Sequence, residues 1–331
     1  MPRPPANFLR NLPASFRPVL TFGQLASPLL QGSEGKIIMP ISRRTFLKTT
    51  AAASAIAGIG NLPLHAERET ASSLVTLGKS GVKVTRLAFG TGSNNGYVQA
   101  QLGQKEFSDL VAYAYDHGIR FFETAESYVT PAMLGEALKP FPRDSYVLMT
   151  KVTTDPGVDP EQRFEDMLRT SNTDYFDIML LHWQHTSDWV ETTKRWQEGI
   201  DKFQLKKSIL SRGASVHGLP ALRQMPGNPW LQVAMIRMNH NGTRMDGPTW
   251  DDNNNPQCVP EVVQHVQQVK KEGMGVISMK LIGNGAFTQH SDRVDAMRFA
   301  FRHAGVDAVT VGFKNRQEID EAIENLNLAF A

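Results

Sequence analysis

Phe121-Phe122-Glu123-Thr124-Ala125-Glu126-Ser127-Tyr128 decides how the rest of the chain is read. Residues 119–122 form a short apolar run with the length and composition of a buried strand; it ends in a carboxylate, and a tyrosine follows five residues later. Two further apolar runs end in the same way: residues 146–150 stop at Lys151, and residues 176–181 stop at His182. In a parallel β/α barrel the C-terminal ends of the strands meet at one face, and that face carries the chemistry. Glu123, Tyr128, Lys151 and His182 are therefore expected to converge. A carboxylate, a tyrosine, a lysine and a histidine make a proton-donor set suited to carbonyl reduction. Singly, each is equally at home as a solvated loop residue, a hydrogen-bonded core histidine or a packed tyrosine. Their order at three successive strand ends is the signal.

Composition sets the outer limits. The chain has 331 residues, 41% hydrophobic and 21% charged, an ordinary globular mixture. A net charge of +2 argues against a nucleic-acid partner, which would call for a clustered basic face. Cys258 is the single cysteine, so the chain can form no internal disulfide and no cysteine-built zinc or iron–sulfur site. No metal site is expected. His182 and His185 are too close along one strand end to aim at one point, and the run Asp251-Asp252-Asn253-Asn254-Asn255 lacks the spacing of a calcium loop.

The N-terminal part reads separately. Ser42-Arg43-Arg44-Thr45-Phe46-Leu47-Lys48 precedes an uncharged, Ala-rich run over residues 49–64. The run is too short and weakly apolar for a membrane span, which needs ~20 apolar residues. It resembles a twin-arginine signal, with cleavage after Ala66 at the partial Ala-x-Ala site Leu64-His65-Ala66. That resemblance implies the export machinery as a partner, a periplasmic or otherwise exported product, and no stable membrane span after cleavage. Met39 is read as the true start, with residues 1–38 upstream of it or disordered, and residues 39–66 as the signal.

Removing the first 66 of 331 residues leaves 265, close to the ~250 of a minimal β/α barrel. Residues 74–77 and 82–85 alternate around Gly78-Lys79-Ser80-Gly81 and predict a β-hairpin. Strands are then predicted to begin at Leu87, Arg120, Tyr146, Phe176, Ile209, Leu231, Gly275 and Ala308. Helices are predicted to begin near Gln104, Pro131, Pro160, Ser187, Leu219, Pro260, Asp292 and Arg316. Eight alternations give an α/β fold, a (β/α)8 TIM barrel over residues 67–331 with the hairpin closing its bottom. The rival, an open doubly wound sheet, lacks its glycine fingerprint, because Gly90-Thr91-Gly92-Ser93-Asn94 has no third glycine in place. The irregular stretch 239–260 falls after the sixth barrel strand, on the active face, where loops select substrate.

With these pieces in order, the chain resembles the aldo-keto reductase superfamily from about Leu74 to Asn325. Leu77-Gly78-Lys79-Ser80-Gly81 is similar to the hairpin that plugs that barrel. Residues 118–128, Leu134-Gly135-Glu136-Ala137-Leu138, Met149-Thr150-Lys151 and residues 173–183 resemble the family's acid, tyrosine, lysine and histidine segments. The resemblance implies an NADP-dependent oxidoreductase that interconverts a carbonyl compound (aldehyde, ketone or sugar) and its alcohol by direct hydride transfer. Tyr128 would be the general acid, Lys151 would favour its phenolate, His182 would orient the carbonyl, and Glu123 would fix Lys151.

The resemblance also implies the cofactor contacts. Lys280, Leu281 and Gly283 would run under the pyrophosphate, and Ser215 would hold the nicotinamide carboxamide. Gly312, Lys314, Asn315 and Arg316 would hold the adenosine phosphate, with Glu321 at the adenine; the two cations favour NADP over NAD. Trp183 and Trp250 are candidates to line the substrate pocket.

Several positions depart from the family pattern. Glu123 stands where aspartate is usual, Val216 and Ala322 stand where asparagine is usual, and Ile236 or Arg237 stands where a glutamine is often offered. Glu123→Asp is expected to preserve or raise turnover. These departures keep a second reading open: a weakened or inactive barrel that binds a small ligand or partner. A third reading is a Schiff-base enzyme built on Lys151. A monomer is the default assembly.

Overall fold

A computed structural model describes residues 69–251 and 254–331. The readings of a signal, a start and a cleavage site within residues 1–66 lie outside the described residues. The chain enters through a two-stranded antiparallel hairpin, β1 (Leu74–Thr76) and β2 (Lys83–Thr85), in which Leu74 faces Thr85. Eight parallel strands follow: β3 (Leu87–Gly90), β4 (Phe121–Glu123), β5 (Val147–Val152), β6 (Phe176–Gln184), β7 (Ile209–Val216), β8 (Val233–Arg237), β9 (Gly275–Met279) and β10 (Ala308–Gly312). They close in sequence order, with β10 paired to β3. The fold is the expected β/α barrel.

The helices that separate the strands begin where caps and prolines direct. They are α1 (Tyr97–Ala100), α2 (Gly103–Asp116), α3 (Pro131–Leu138), α4 (Pro160–Thr170), α5 (Trp189–Thr192), α6 (Lys194–Leu205), α7 (Leu219–Leu222), α8 (Val259–Lys271), α9 (His290–Arg298) and α10 (Arg316–Ala329). Asp159 caps α4 by accepting the N–H groups of Glu161 and Gln162, and Pro160 fills the first turn where no donor is needed. Asn315 accepts the Glu318 N–H at 2.9 Å and opens α10, whose stripe buries Ile319 and Leu326.

Strand parity separates two cores. Leu87, Phe89, Phe122, Leu148, Met179 and Leu181 point outward to the helices. Ala88, Phe121, Met149, Ile178, Leu180, Val233, Met235, Ile277 and Ala308 fill the barrel interior. Leu77 and Val84 belong to that interior cluster and are fully buried, so the hairpin does close the barrel at the end opposite the strand C-termini. Side chains alternate with period two along a strand. Glu123 follows the parity of Phe121, Lys151 that of Met149, and His182 that of Leu180. The pattern that packs the interior therefore also aims these three groups into its mouth.

One strand runs further than the sequence implied. β6 continues past His182 to Gln184, through a register shift between Leu181 and Gln184, with Trp183 at φ +57°. A non-glycine residue in this left-handed conformation is uncommon. It turns the Trp183 indole out of the strand alternation toward solvent.

Candidate active site

Lys151 is 1% exposed at the end of β5. Its ammonium forms a short ion pair with Glu123 Oε1 and donates to the Thr124 carbonyl at 2.8 Å. The other Glu123 oxygen accepts from Thr310 Oγ1 on β10 at 3.2 Å. Burial lowers the Lys151 pKa, and the Glu123 charge opposes that shift. The additional methylene of glutamate is thus accommodated: one oxygen stays on lysine while the other reaches the neighbouring strand.

Tyr128 follows β4 and packs with its ring centroid 4.8 Å from Lys151 Nζ. A Cβ at residue 92 would lie 2.4 Å from the Tyr128 ring, so glycine is required there for the tyrosine to occupy its place. Burial raises the phenol pKa well above 10, and the negative charge of Glu123 adds to this. The expected depression by Lys151 is not seen: burial, and then Glu123, set the direction. His182 meets the Tyr128 ring edge to face, with centroids 5.7 Å apart, and its Nδ1 lies 3.2 Å from Ser127 Oγ. Burial, then the charges of Lys151 and Lys280, hold His182 well below its ordinary pKa, so the imidazole is neutral at pH 7. The four residues singled out in the sequence are brought together.

From Tyr128 and Glu123 a cleft of about 560 Å³ runs past β9 and β10 to the start of α10. Lys280, Leu281, Gly312, Lys314 and Glu321 line it as expected, together with Met235, Met279, Phe287, Ala322 and Asn325. Asn284 and Gly285 line it, whereas Gly283, expected there, does not line it and turns the chain between them and Ile282 at φ +59°. Ser215 is fully buried instead, its hydroxyl 3.8 Å from the Met279 sulfur, one layer beneath the cleft wall. Neither Asn315 nor Arg316 lines the cleft: Asn315 caps α10, and the Arg316 guanidinium lies 4.9 Å from the centre of the Tyr113 ring. Val216 is buried. Ala322 lines the cleft, as does Asn325 one turn further along α10, whose amide is engaged by His290 and Glu321. A long cleft lined by the partly buried Lys280, with glycine turns and the Tyr128 cluster at one end, fits an extended dinucleotide. Ser215, Asn315 and Arg316 as placed do not contribute to it.

Trp183 and Trp250 do not line this cleft; they lie at the C-terminal end of β6 and on the loop after β8, with their rings perpendicular and centroids 5.0 Å apart, and His185 lies beside both. The loop that carries Trp250 is tied down beneath. Arg237 and Asp246, 4% and 0% exposed, approach to 3.1 Å, and Arg237 donates to the Trp250 carbonyl at 2.9 Å. Asp246 also accepts the Gly218 N–H at 2.6 Å. Burial pushes the Asp246 carboxyl up to about 6 against the pull of Arg237. The expected glutamine position is therefore a loop anchor. Sequence reading missed Gly92, Thr310, Ser127 and this ion pair. Only Gly92, in Gly90-Thr91-Gly92, offered a local sign.

Comparison with known proteins now bears on the site. Residues 86–297 match the sequence pattern described as Aldo/keto reductase family. The chain belongs to this family. Residues 40–60 match the twin-arginine translocation pathway signal sequence, so this family member is exported by that route. Probable aldo-keto reductase 1 of Glycine max is 26% identical over 172 residues, 45% of this chain and 50% of that protein. A methylglyoxal reductase of Escherichia coli (strain K12) is 25% identical over 177 residues, 47% of this chain and 64% of that protein. The chain spans about half the length of the curated relatives it matches.

Solved structures agree on the fold of the family. An aldo-keto reductase from Bacillus halodurans, in a holo form, superposes with a TM-score of 0.59 at 17% identity, covering 76% of this chain and 90% of that one. One from Klebsiella pneumoniae in complex with NADPH gives 0.58 at 17% identity, covering 77% and 89%. The chain thus shares the barrel fold of its family. Among the described residues, no helix is long and apolar enough to cross a membrane.

Proposed function

We propose that the protein reduces a carbonyl compound (an aldehyde, ketone or sugar) to its alcohol with a nicotinamide dinucleotide, Tyr128 supplying the proton. The observation that carries the reading is Tyr128 packed between Lys151 and His182 at one end of the long cleft. When bound, the cofactor supplies the hydride. Everything else is done by side chains.

His182, neutral and with Nδ1 at Ser127, has its other ring nitrogen to hold the carbonyl oxygen. Tyr128 gives its phenolic proton to that oxygen as negative charge develops there. The phenolate left behind lies beside the Lys151 ammonium and is reprotonated from solvent. Burial, and then the Glu123 charge, favour the protonated Tyr128 hydroxyl, the form that can donate to the carbonyl oxygen. Lys151 is unsuited to a Schiff base, since its amine is buried, charged and engaged by Glu123 and Thr124. The intact ion pair and the tyrosine beside it favour an enzyme over a retired site.

Trp183 and Trp250, outside that cleft, offer two aromatic faces suited to a sugar ring or another bulky carbonyl compound. Export by the twin-arginine route is compatible with a cofactor held tightly and carried across with the folded protein. Which of NADP and NAD it takes turns on the wall formed by Lys314 and Glu318.

The test offers a panel of aldehydes, ketones and sugars together with nicotinamide deuterated at C4. Deuterium on the carbinol carbon of the product is the expected result. Turnover with no label there, or a panel with no turnover by folded, cofactor-loaded protein, contradicts the reading.

A further inference from the structure

The cleft has a far end, away from Tyr128, where β10 gives way to α10. Under the reading above, a dinucleotide whose nicotinamide lies at Tyr128 places its adenosine there. The adenosine ribose distinguishes two cofactors: NAD carries a 2′-hydroxyl, and NADP carries a 2′-phosphate. A phosphate is held by cations and free backbone N–H groups. A hydroxyl is held by an acceptor, and a carboxylate near the ribose serves this purpose in dinucleotide sites.

The groups that would take the phosphate are already used. Glu318 lines the cleft, and one of its carboxylate oxygens accepts the Lys314 N–H at 2.8 Å. The other lies 3.3 Å from Lys314 Nζ. Asn315 accepts the Glu318 N–H, which fixes the first turn so that this carboxylate folds back over the helix start. Arg316 is turned toward α2, over the ring of Tyr113, whose hydroxyl donates to Asp320 at 2.9 Å. Arg293, the remaining cation of this wall, is held by Glu321 and by the carbonyls of Phe287 and Thr288.

We propose that Glu318 makes the site select NAD over NADP, and the proposal rests on the nicotinamide reading. Its carboxylate accepts a hydrogen bond from the ribose 2′-hydroxyl and repels a 2′-phosphate. The phosphate dianion would have to displace Glu318 from Lys314 and leave a carboxylate unpaired against itself. The two cations read as favouring NADP are thus placed differently here: Arg316 lies over Tyr113, and Lys314 already has an anion beside it.

Binding, rather than turnover, tests this. The purified full chain is titrated with NADH and with NADPH, following nicotinamide fluorescence, as wild type and as Glu318→Gln. Gln keeps an acceptor and removes the charge. A thermal melt of each confirms that both are folded, and any loss of helix order common to both cofactors cancels in the ratio of their dissociation constants. The wild type is expected to bind NADH about tenfold or more tighter than NADPH, since like charges are opposed in the NADPH complex. Glu318→Gln is expected to narrow that ratio chiefly by tightening NADPH. Equal or tighter binding of NADPH by the wild type overturns the proposal and leaves the reductase reading intact. An unchanged ratio in Glu318→Gln overturns the role of Glu318. Binding of neither cofactor by folded protein overturns both this proposal and the functional reading.

Discussion

The two ends of one cleft were built under different rules. At the mouth, Glu123, Lys151 and His182 sit on strands, and the parity that buries Phe121, Met149 and Leu180 leaves their side chains one direction to point. Around the far end, Lys314, Arg316 and Glu318 sit on a loop and the first turn of a helix, exposed enough to choose among several partners. A charged residue at a buried strand end is placed by the core. A charged residue at a helix start is placed by a local competition among neighbours. The first can be read from sequence. The second needs the neighbours.

The sharpest way to break this contrast is to remove a cation from each end. Lys151→Met leaves the Glu123 carboxylate buried without its ammonium, and breaking a buried pair costs about 3–5 kcal/mol. Lys314→Ala breaks an exposed pair and is expected to cost less than about 1 kcal/mol. Urea denaturation of the two variants compares them directly. Equal losses would show that burial does not separate the two ends. Turnover is expected to vanish in Lys151→Met.

A second buried pair offers a pH test. The native Asp246 carboxyl has its pKa pushed up to about 6, whereas in the unfolded chain an aspartate titrates at about 3.9. Between these values the native state binds more protons, so the contribution of Asp246 to stability is present at low pH and falls as pH rises, levelling off above about 6. Two pKa units correspond to about 3 kcal/mol. His182 and His217, both held well below 6.5 first by burial, act in the opposite sense: their contribution is lost as pH falls through and below 6.5. The stability of wild type minus that of Asp246→Asn isolates the aspartate. That difference is expected to fall between about pH 4 and pH 6, and a flat or rising difference would contradict the placement of Asp246.

Glu123→Asp is a smaller change. It keeps a carboxylate for Lys151 and gives up the Thr310 hydrogen bond, worth about 1 kcal/mol. Turnover is expected to be preserved or raised. A large loss with fold and cofactor affinity intact would show that the reach of glutamate to β10 is itself required. Trp250→Ala is expected to have the smallest effect on stability, within about 0.5 kcal/mol, because the indole is 42% exposed. Its expected signature is a raised KM for bulky carbonyl compounds with little change for small aldehydes. Equal effects on both would remove Trp250 from the substrate mouth.

Much of this was legible in the sequence because its signals are local. Pro131, Pro160, Leu219 and Arg316 open helices where proline, caps or periodicity said they would. The barrel strands begin within two residues of their expected starts. The quartet at the mouth followed from strand ends alone. What stayed hidden depends on pairs distant in the chain or on backbone detail. Thr310 meets Glu123 across 187 residues, and nothing near either announces the other. The turn at Trp183 is a register shift between β6 and β7, which an apolar run does not encode. The pKa of Tyr128 moves up rather than down first because the phenol is buried and then because of the nearby Glu123 charge, surroundings that the linear sequence does not show.

The most direct test of the central claim is the single-turnover rate of cofactor-loaded protein with a reducible carbonyl, as wild type and as Tyr128→Phe. Tyr128→Phe is expected to bind cofactor and unfold as the wild type does while losing about 10²–10⁴ in rate, the worth of a positioned general acid. Equal rates in the two proteins would contradict the assignment of Tyr128 as the proton donor.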